Sequence, residues 1–219
     1  MKRDQTKPST SSRDPSELRS PPSLPAEILA NYDVYEWRHA TAILRTDFPN
    51  EYHDIIQVLL NFRLRRSEIL APGGQKSKVA TSLDSAFYAK QPPWIEKDFS
   101  TQIVVDGNST DSPTHSVDCY RNHVAVEIEW NNKDPFFDRD LNNFRLLFDL
   151  RVVSVGVIIT RSDELQSLFG ELGRGKSYGA STTHLSKLLP RMRGGGGGGC
   201  PVMALAMKRA LYLEDQGEL

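Results

Sequence analysis

Asp118-Cys119-Tyr120-Arg121-Asn122-His123-Val124-Ala125-Val126-Glu127-Ile128-Glu129-Trp130 is the stretch on which the reading of this chain turns. Val124, Val126, Ile128 and Trp130 alternate with Ala125, Glu127 and Glu129, and side chains alternate with period two along a strand. One face therefore reads as core and the other as a place for chemistry. Two same-face glutamates on a strand lie roughly 6.5–7 Å apart, and Asp118, arriving from a neighbouring turn or strand, completes a pocket of negative charge. Left unneutralised, like charges raise one another's pKa and are costly to bury. Such a pocket calls for a cation, and hard carboxylate oxygens suit Mg²⁺ or Mn²⁺. The competing reading is a sheet face with ordinary solvated acids, which a motif this short does not exclude by itself.

Working outward, Trp94 to Val105 has strand-rich content and meets a turn at Asp106-Gly107-Asn108. The spacing predicts a second strand from near Val117 to Trp130, so that this hairpin carries the acids. Pro135 opens a helix with apolar positions Phe136, Phe137, Leu141, Phe144, Leu147, Phe148 and Leu150. Val152 to Ile159 is a β-branched run expected of a strand buried on both sides. Asp163 helps to start a helix through Leu165, Leu168, Phe169 and Leu172. Strand, helix and strand in this order predict an α/β sheet with a crossover helix.

Towards the N-terminus, helical spacing runs from Ala26 through Ile43, again from Pro49 through Phe62, and from Lys78 to Ala89 after a break at Pro72-Gly73-Gly74. Residues 1–25 are rich in Ser, Pro and charge and read as a disordered tail. Towards the C-terminus, Gly170 to His184 reads as a polar loop. The six glycines Gly194 to Gly199 read as a flexible linker, and Cys200 to Leu213 as one more apolar strand and a short helix.

The 219 residues suffice for one sizeable α/β core, and 25% charged with 38% hydrophobic residues is ordinary for a soluble globule. A net charge of −1 gives no global basic field, although basic residues cluster at Arg63-Leu64-Arg65-Arg66, Arg174-Gly175-Lys176 and Arg191-Met192-Arg193. The only cysteines, Cys119 and Cys200, have no CxxC or Cys/His spacing that points to a disulfide scaffold or structural zinc. With no apolar signal core and no membrane-length apolar run, a soluble, cytoplasmic protein is expected.

From Trp94 to Tyr212 the chain resembles the BglII/BstYI-type type II restriction endonucleases, which are PD-(D/E)xK-like nucleases. The resemblance is carried by Ser112 to Tyr120, by Val126 to Arg145 and by Gly175 to His184, with weaker likeness back to Tyr32 through Glu36 to Leu44 and Pro72 to Ser77. It implies a central mixed β-sheet flanked by helices, with added N-terminal helices. On that basis 26–219 is one restriction-endonuclease-like domain: 26–92 mainly helical, 93–160 the catalytic core, and 161–219 DNA-recognition loops and C-terminal elements. The family's active-site pattern is an acid, then Glu nine positions later, then one residue, then Glu or Gln, which Asp118, Glu127 and Glu129 match.

The resemblance assigns Asp118 and Glu127 as ligands of Mg²⁺, with Mn²⁺ as a substitute, together with the main-chain carbonyl of Ile128. Glu129 stands where many related nucleases have Lys, so a fixed positive charge is missing there; its implied role is to position the attacking water, bind a second metal or act as a base. Glu96, Asp98 and Asp106 are candidates for one further acid from the preceding strand. Base and phosphate contacts are expected from Asn131, Asn132 and Lys133, which alternatively form a turn capping the next helix. The polar run Lys176, Ser177, Tyr178, Ser181, Thr182, Thr183 and His184 offers further donors. His115 and His123 flank the acids but read as structural or exposed.

The implied activity is cleavage of double-stranded DNA by a homodimer at a GATC-containing palindrome, leaving four-base 5′ overhangs, beside a cognate methyltransferase. Two rivals remain at this point. One is a non-catalytic sequence-specific DNA-binding protein of the same fold, against which the intact acids argue. The other is a glycosidase using Glu127 and Glu129, disfavoured because two acids on one strand face point the same way rather than flanking a bond.

Overall fold

Three parallel strands at the centre of a six-stranded mixed sheet organise the protein. The computed structural model describes residues 24–72, 76–112 and 115–215. Residues 1–23 of the expected tail, and Gly73 and Gly74 of the expected helix break, lie outside them. In chain order the elements are α1 (Ala26–Asn31), β1 (Tyr32–Trp37), α2 (Ala40–Asp47), α3 (Pro49–Asn61), β2 (Leu64–Arg65), α4 (Arg66–Leu70), α5 (Lys78–Tyr88), β3 (Ile95–Lys97), β4 (Thr101–Val105) and β5 (Asn108–Ser112). They continue with β6 (Val117–Arg121), β7 (Val124–Ile128), α6 (Phe136–Asp149), β8 (Val155–Arg161), α7 (Leu165–Glu171), α8 (Leu185–Arg193), β9 (Val202–Met207) and β10 (Tyr212–Leu213).

The main sheet has the order β1-β9-β8-β7-β6-β3. β7, β8 and β9 run parallel, while β1, β6 and β3 are antiparallel to their neighbours. Helix α6 connects β7 to β8, the strand–helix–strand crossover that the sequence predicts. One apolar cluster joins α2, α3, α5 and α7 to one sheet face through Leu44, Ile55, Leu59, Leu83, Phe87 and Phe169. The other joins α6 and α8 to the opposite face through Phe137, Leu141, Phe144, Leu147, Leu188 and Met192. Burial of each such side chain contributes roughly 1.5–3 kcal/mol.

The expected single strand from Val117 to Trp130 is two strands. Asn122 and His123, at φ 43° and 65°, form a two-residue hairpin turn; left-handed backbone at both positions matches the twist of the flanking strands. The register Cys119↔Val126 and Arg121↔Val124 brings Asp118 beside Glu127. Val124, Val126, Ile128 and Trp130 lie in one core cluster as their alternation requires, but Ala125 is buried in the other. The face read as open for chemistry is therefore covered by α6, because a central strand is packed on both sides.

The turn at Asp106-Gly107 forms, with φ 50° and 80°, yet it joins β4 to β5 in a separate two-stranded sheet. Ile103, Val104 and Val105 are exposed on that hairpin, and the acids belong to the next one. Tyr32 to Trp37, expected to continue a helix, is the edge strand β1, paired from Tyr32↔Met207 to Trp37↔Val202. Its Tyr-Asp-Val-Tyr-Glu-Trp alternation also fits a helical spacing over so short a length, and pairing to β9 decides between them.

The glycine run is not a free linker. Gly196 N–H donates to the Arg191 carbonyl at 2.9 Å, and Gly198 N–H to that of Gly195 at 2.8 Å. Gly195 and Gly198 have φ of 77° and 58°. A Cβ on Gly198 would lie 2.6 Å from Arg145 Cγ, so absence of side chains lets this turn pack on α6.

Candidate active site

The acids gather at the C-terminal end of β7, where β6 begins and the first turns of α6 pass. Asp118 Oδ2 accepts the Ile128 N–H at 2.9 Å, and the Asp118 N–H lies 3.4 Å from Glu127 Oε2. Lys76, just before α5, places Nζ 3.1 Å from Asp118 Oδ1 and also pairs with buried Asp84 of α5. The Tyr88 hydroxyl donates to the Asp118 carbonyl at 2.8 Å. The hairpin supplies two acids, and α5 and its leading residue fix the first of them.

Glu127 and Glu129 are each only 1% exposed. Glu129 Oε2 accepts from Asn132 Nδ2 at 2.8 Å, and its Oε1 lies 3.4 Å from Arg139 Nη2. Its main-chain carbonyl accepts from the Thr160 and Thr183 hydroxyls at 2.9 and 3.3 Å. Arg139 Nη2 also reaches Asp140 Oδ1 at 2.9 Å. His115 Nε2 lies 3.3 Å from Glu127 Oε1 and 3.2 Å from Asp140 Oδ1. Those approaches lack hydrogen-bond geometry: His115 Nε2, Glu127 Oε1 and Asp140 Oδ2 are buried without a hydrogen-bond partner among the described residues.

Burial raises the pKa of Glu127 above the ordinary carboxylate range, opposed by His115 and reinforced by Asp140 and Asp118. Burial and then Asp140 raise Glu129 in the same direction. For His115, burial acts to lower the value, but the carboxylates of Asp140 and Glu127 outweigh it and lift it to about 9. Burial lifts Asp84 to about 6 against the opposing pull of Lys76. The pocket thus contains more acid than its own basic groups neutralise, the condition under which carboxylates hold protons or a metal.

Asp140, Arg139, Lys76 and Asp84 were not among the residues expected from sequence. Asp140 left a signal: it falls three residues after Phe137 and four before Phe144, on the buried face of α6. His115, read as structural or exposed, is a member of the cluster, whereas His123 sits in the hairpin turn. Of the three candidates for a further acid, Glu96 is exposed in β3 beside β6, Asp98 accepts from Ser116, and Asp106 forms the exposed β4–β5 turn.

The two polar segments expected to meet DNA do meet each other. Lys133 and Thr182 form a β-bridge, and the Thr183 N–H donates to the Asn132 carbonyl at 2.8 Å. Lys133, Lys176, Ser177 and Ser181 are exposed, and Asn131, Asn132 and Thr182 half-buried. Tyr178, Thr183 and His184 are buried. Tyr178 stacks on Phe169 with ring centroids 3.9 Å apart, and His184 Nδ1 lies 2.7 Å from the Thr182 carbonyl. These three side chains are occupied in building the loop. The α6 N-cap residue, Pro135, makes no side-chain cap hydrogen bond; the Phe136 N–H donates instead to the Lys133 carbonyl at 3.0 Å.

A family model described as restriction endonuclease BglII/BglIII matches residues 32–207. The chain belongs to this restriction endonuclease family. It is a site-specific deoxyribonuclease, a type II restriction enzyme acting on double-stranded DNA, from a family that generally uses a divalent metal. No curated protein matches the chain. The six-stranded mixed sheet flanked by helices agrees with a restriction-endonuclease-like fold. Among the described residues no helix is long and apolar enough to cross a membrane.

Proposed function

We propose that this restriction endonuclease is a Mg²⁺-dependent homodimer cutting duplex DNA at a GATC-containing palindrome to leave four-base 5′ overhangs. The observation that carries the metal dependence is the convergence of Asp118 and Glu127 across the β6–β7 hairpin. The donor set fits a hard divalent cation: carboxylate groups from two adjacent strands, that of Glu127 buried. Asp118, Glu127 and the main-chain carbonyl of Ile128 would hold it, with Mn²⁺ as a substitute. A cation held there would lower the pKa of a water and neutralise charge on the scissile phosphate.

The protein's own groups set the geometry. Ile128 N–H and Lys76 orient the two oxygens of Asp118. Glu129, held by Asn132 and close to Arg139, is read as the group that positions the attacking water; burial and Asp140 keep it protonated in the metal-free protein, so a role as base would need a bound cation to lower its pKa. Asn131, Asn132, Lys133, Lys176, Ser177, Ser181 and Thr182 form the DNA-facing surface, with Lys and Asn matched to base edges in the major groove. A two-fold palindrome favours a two-fold protein. The site sequence, the overhang, a cognate methyltransferase and a cytoplasmic location are supported by the resemblance alone.

The test is cleavage of unmethylated plasmid and genomic DNA with Mg²⁺, with EDTA and by Glu127→Ala, followed by sequencing of the ends. Discrete fragments ending in GATC-containing overhangs, only with Mg²⁺ and intact Glu127, are expected. Tight binding to a palindrome without cutting would overturn the reading in favour of a non-catalytic binder; cutting unaffected by EDTA would remove the metal.

A further inference from the structure

The three unpartnered atoms of the acid pocket come from three separate elements: His115 before β6, Glu127 in β7 and Asp140 in α6. Each residue offers a ligand atom within 4.8 Å of those of the other two. Asp140 is fully buried and Glu127 nearly so. A buried carboxylate oxygen without a donor is costly to leave unmet; Glu127 Oε1 lies 3.3 Å from His115 Nε2 outside hydrogen-bond geometry, and Asp140, whose Oδ1 lies 3.2 Å from the same nitrogen, keeps Oδ2 without a donor. Arg139 does not relieve them, because it bonds Asp140 through Oδ1 and leaves Oδ2 free. Glu127 therefore presents its two oxygens to different neighbours: Oε2 to the Asp118 side and Oε1 to His115.

We propose that His115, Glu127 and Asp140 form a second divalent-cation site beside the Asp118–Glu127 pair. A mixed imidazole and carboxylate set is softer than an all-oxygen one, so it prefers Mn²⁺, Co²⁺ or Zn²⁺ to Mg²⁺. The inference rests on the proposed metal-dependent reading only through Glu127, the residue common to both positions. Arg139 serves the site from outside, orienting Asp140 so that its free oxygen faces the cation.

The test uses metal-stripped full-length protein and Mn²⁺ alone, with binding followed by equilibrium titration and pulsed electron paramagnetic resonance. Wild type should bind a second Mn²⁺ equivalent with a histidine ¹⁴N coupling. His115→Gln should lose both, Asp140→Asn should weaken the second equivalent at least about 10-fold, and Asp118→Asn should keep the nitrogen-coupled ion. Wild-type Mn²⁺ without nitrogen coupling overturns the site whatever the variants do, as does a coupling that survives in His115→Gln. If Asp118→Asn instead removes no Mn²⁺ at all, the reading of Asp118 as a ligand fails while this site stands.

Discussion

Lys76 Nζ lies 3.1 Å from Asp118 Oδ1, across 42 residues of sequence. By the resemblance, Glu129 stands where many related nucleases have Lys, and Lys76 brings a cation to Asp118 from another element. Lys76→Met should lower single-turnover cleavage at saturating metal by about 100-fold or more, the scale for losing one aimed electrostatic group, with Lys76→Arg partly active. The same change leaves buried Asp84 without its cation, so a Lys76→Met/Asp84→Asn pair, compared by thermal denaturation, separates lost stability from lost chemistry. Full activity in a folded Lys76→Met would remove Lys76 from the reaction.

Metal-free protein should lose stability as pH rises. Glu127 and Glu129 bind protons more tightly in the fold than at the ordinary 4.5 of the unfolded chain. Their contribution is complete below 4.5 and is lost as pH climbs through the raised values; His115, lifted to about 9, acts in the same direction. Scanning calorimetry in EDTA should show Tm falling from about pH 5 to pH 8, and Mg²⁺ should raise Tm more at the upper end, since a cation binds the ionised acids. Glu129→Gln should flatten the slope. A Tm that rises over this range in EDTA would contradict the electrostatics.

Gly156 in β8 is required by packing. A Cβ there would meet the Phe144 ring at 2.4–2.8 Å, a distance that forces α6 away from the sheet. Gly156→Ala should therefore cost about 1–3 kcal/mol, as overpacking does, measured by urea denaturation. Because α6 carries Asp140, its metal affinity should fall too. An unchanged midpoint would show that the α6–sheet contact gives way easily.

Lys133 and Lys176 are exposed on the two segments that the Lys133–Thr182 bridge joins. If they contact phosphate, Lys133→Ala or Lys176→Ala should each reduce the salt slope of DNA binding by about one, measured by fluorescence anisotropy in EDTA to prevent cutting. A lysine that reads a base instead would change sequence preference at one position with a larger loss. Neither effect would place that residue outside the DNA interface.

Much of the fold is legible along the chain because its strongest signals are local. The β-branched run of β8, the 3.6-residue stripes of α3, α5 and α6, and the alternation Val124, Val126, Ile128, Trp130 each reflect burial repeating at the period of one element. The local pattern is ambiguous where a short segment fits two periods, as in Tyr32 to Trp37, or where a turn contains no glycine to mark it, as at Asn122-His123. The glycine run misled because composition reports entropy but not the helix face awaiting it.

Sequence alone picked out Asp118, Glu127 and Glu129 as the candidate acids, since their spacing and resemblance are properties of consecutive residues, and Asp118 in β6 and Glu127 in β7 do lie side by side, with Glu129 just beyond β7. Only the tertiary structure decided what surrounds them. Lys76 reaches Asp118 from before α5, Asp140 and His115 close on Glu127 from two other elements, and Tyr178, Thr183 and His184 turn inward to build the loop. Such contacts depend on how helices pack across a sheet, and no periodicity within one segment encodes the direction from which a distant side chain arrives.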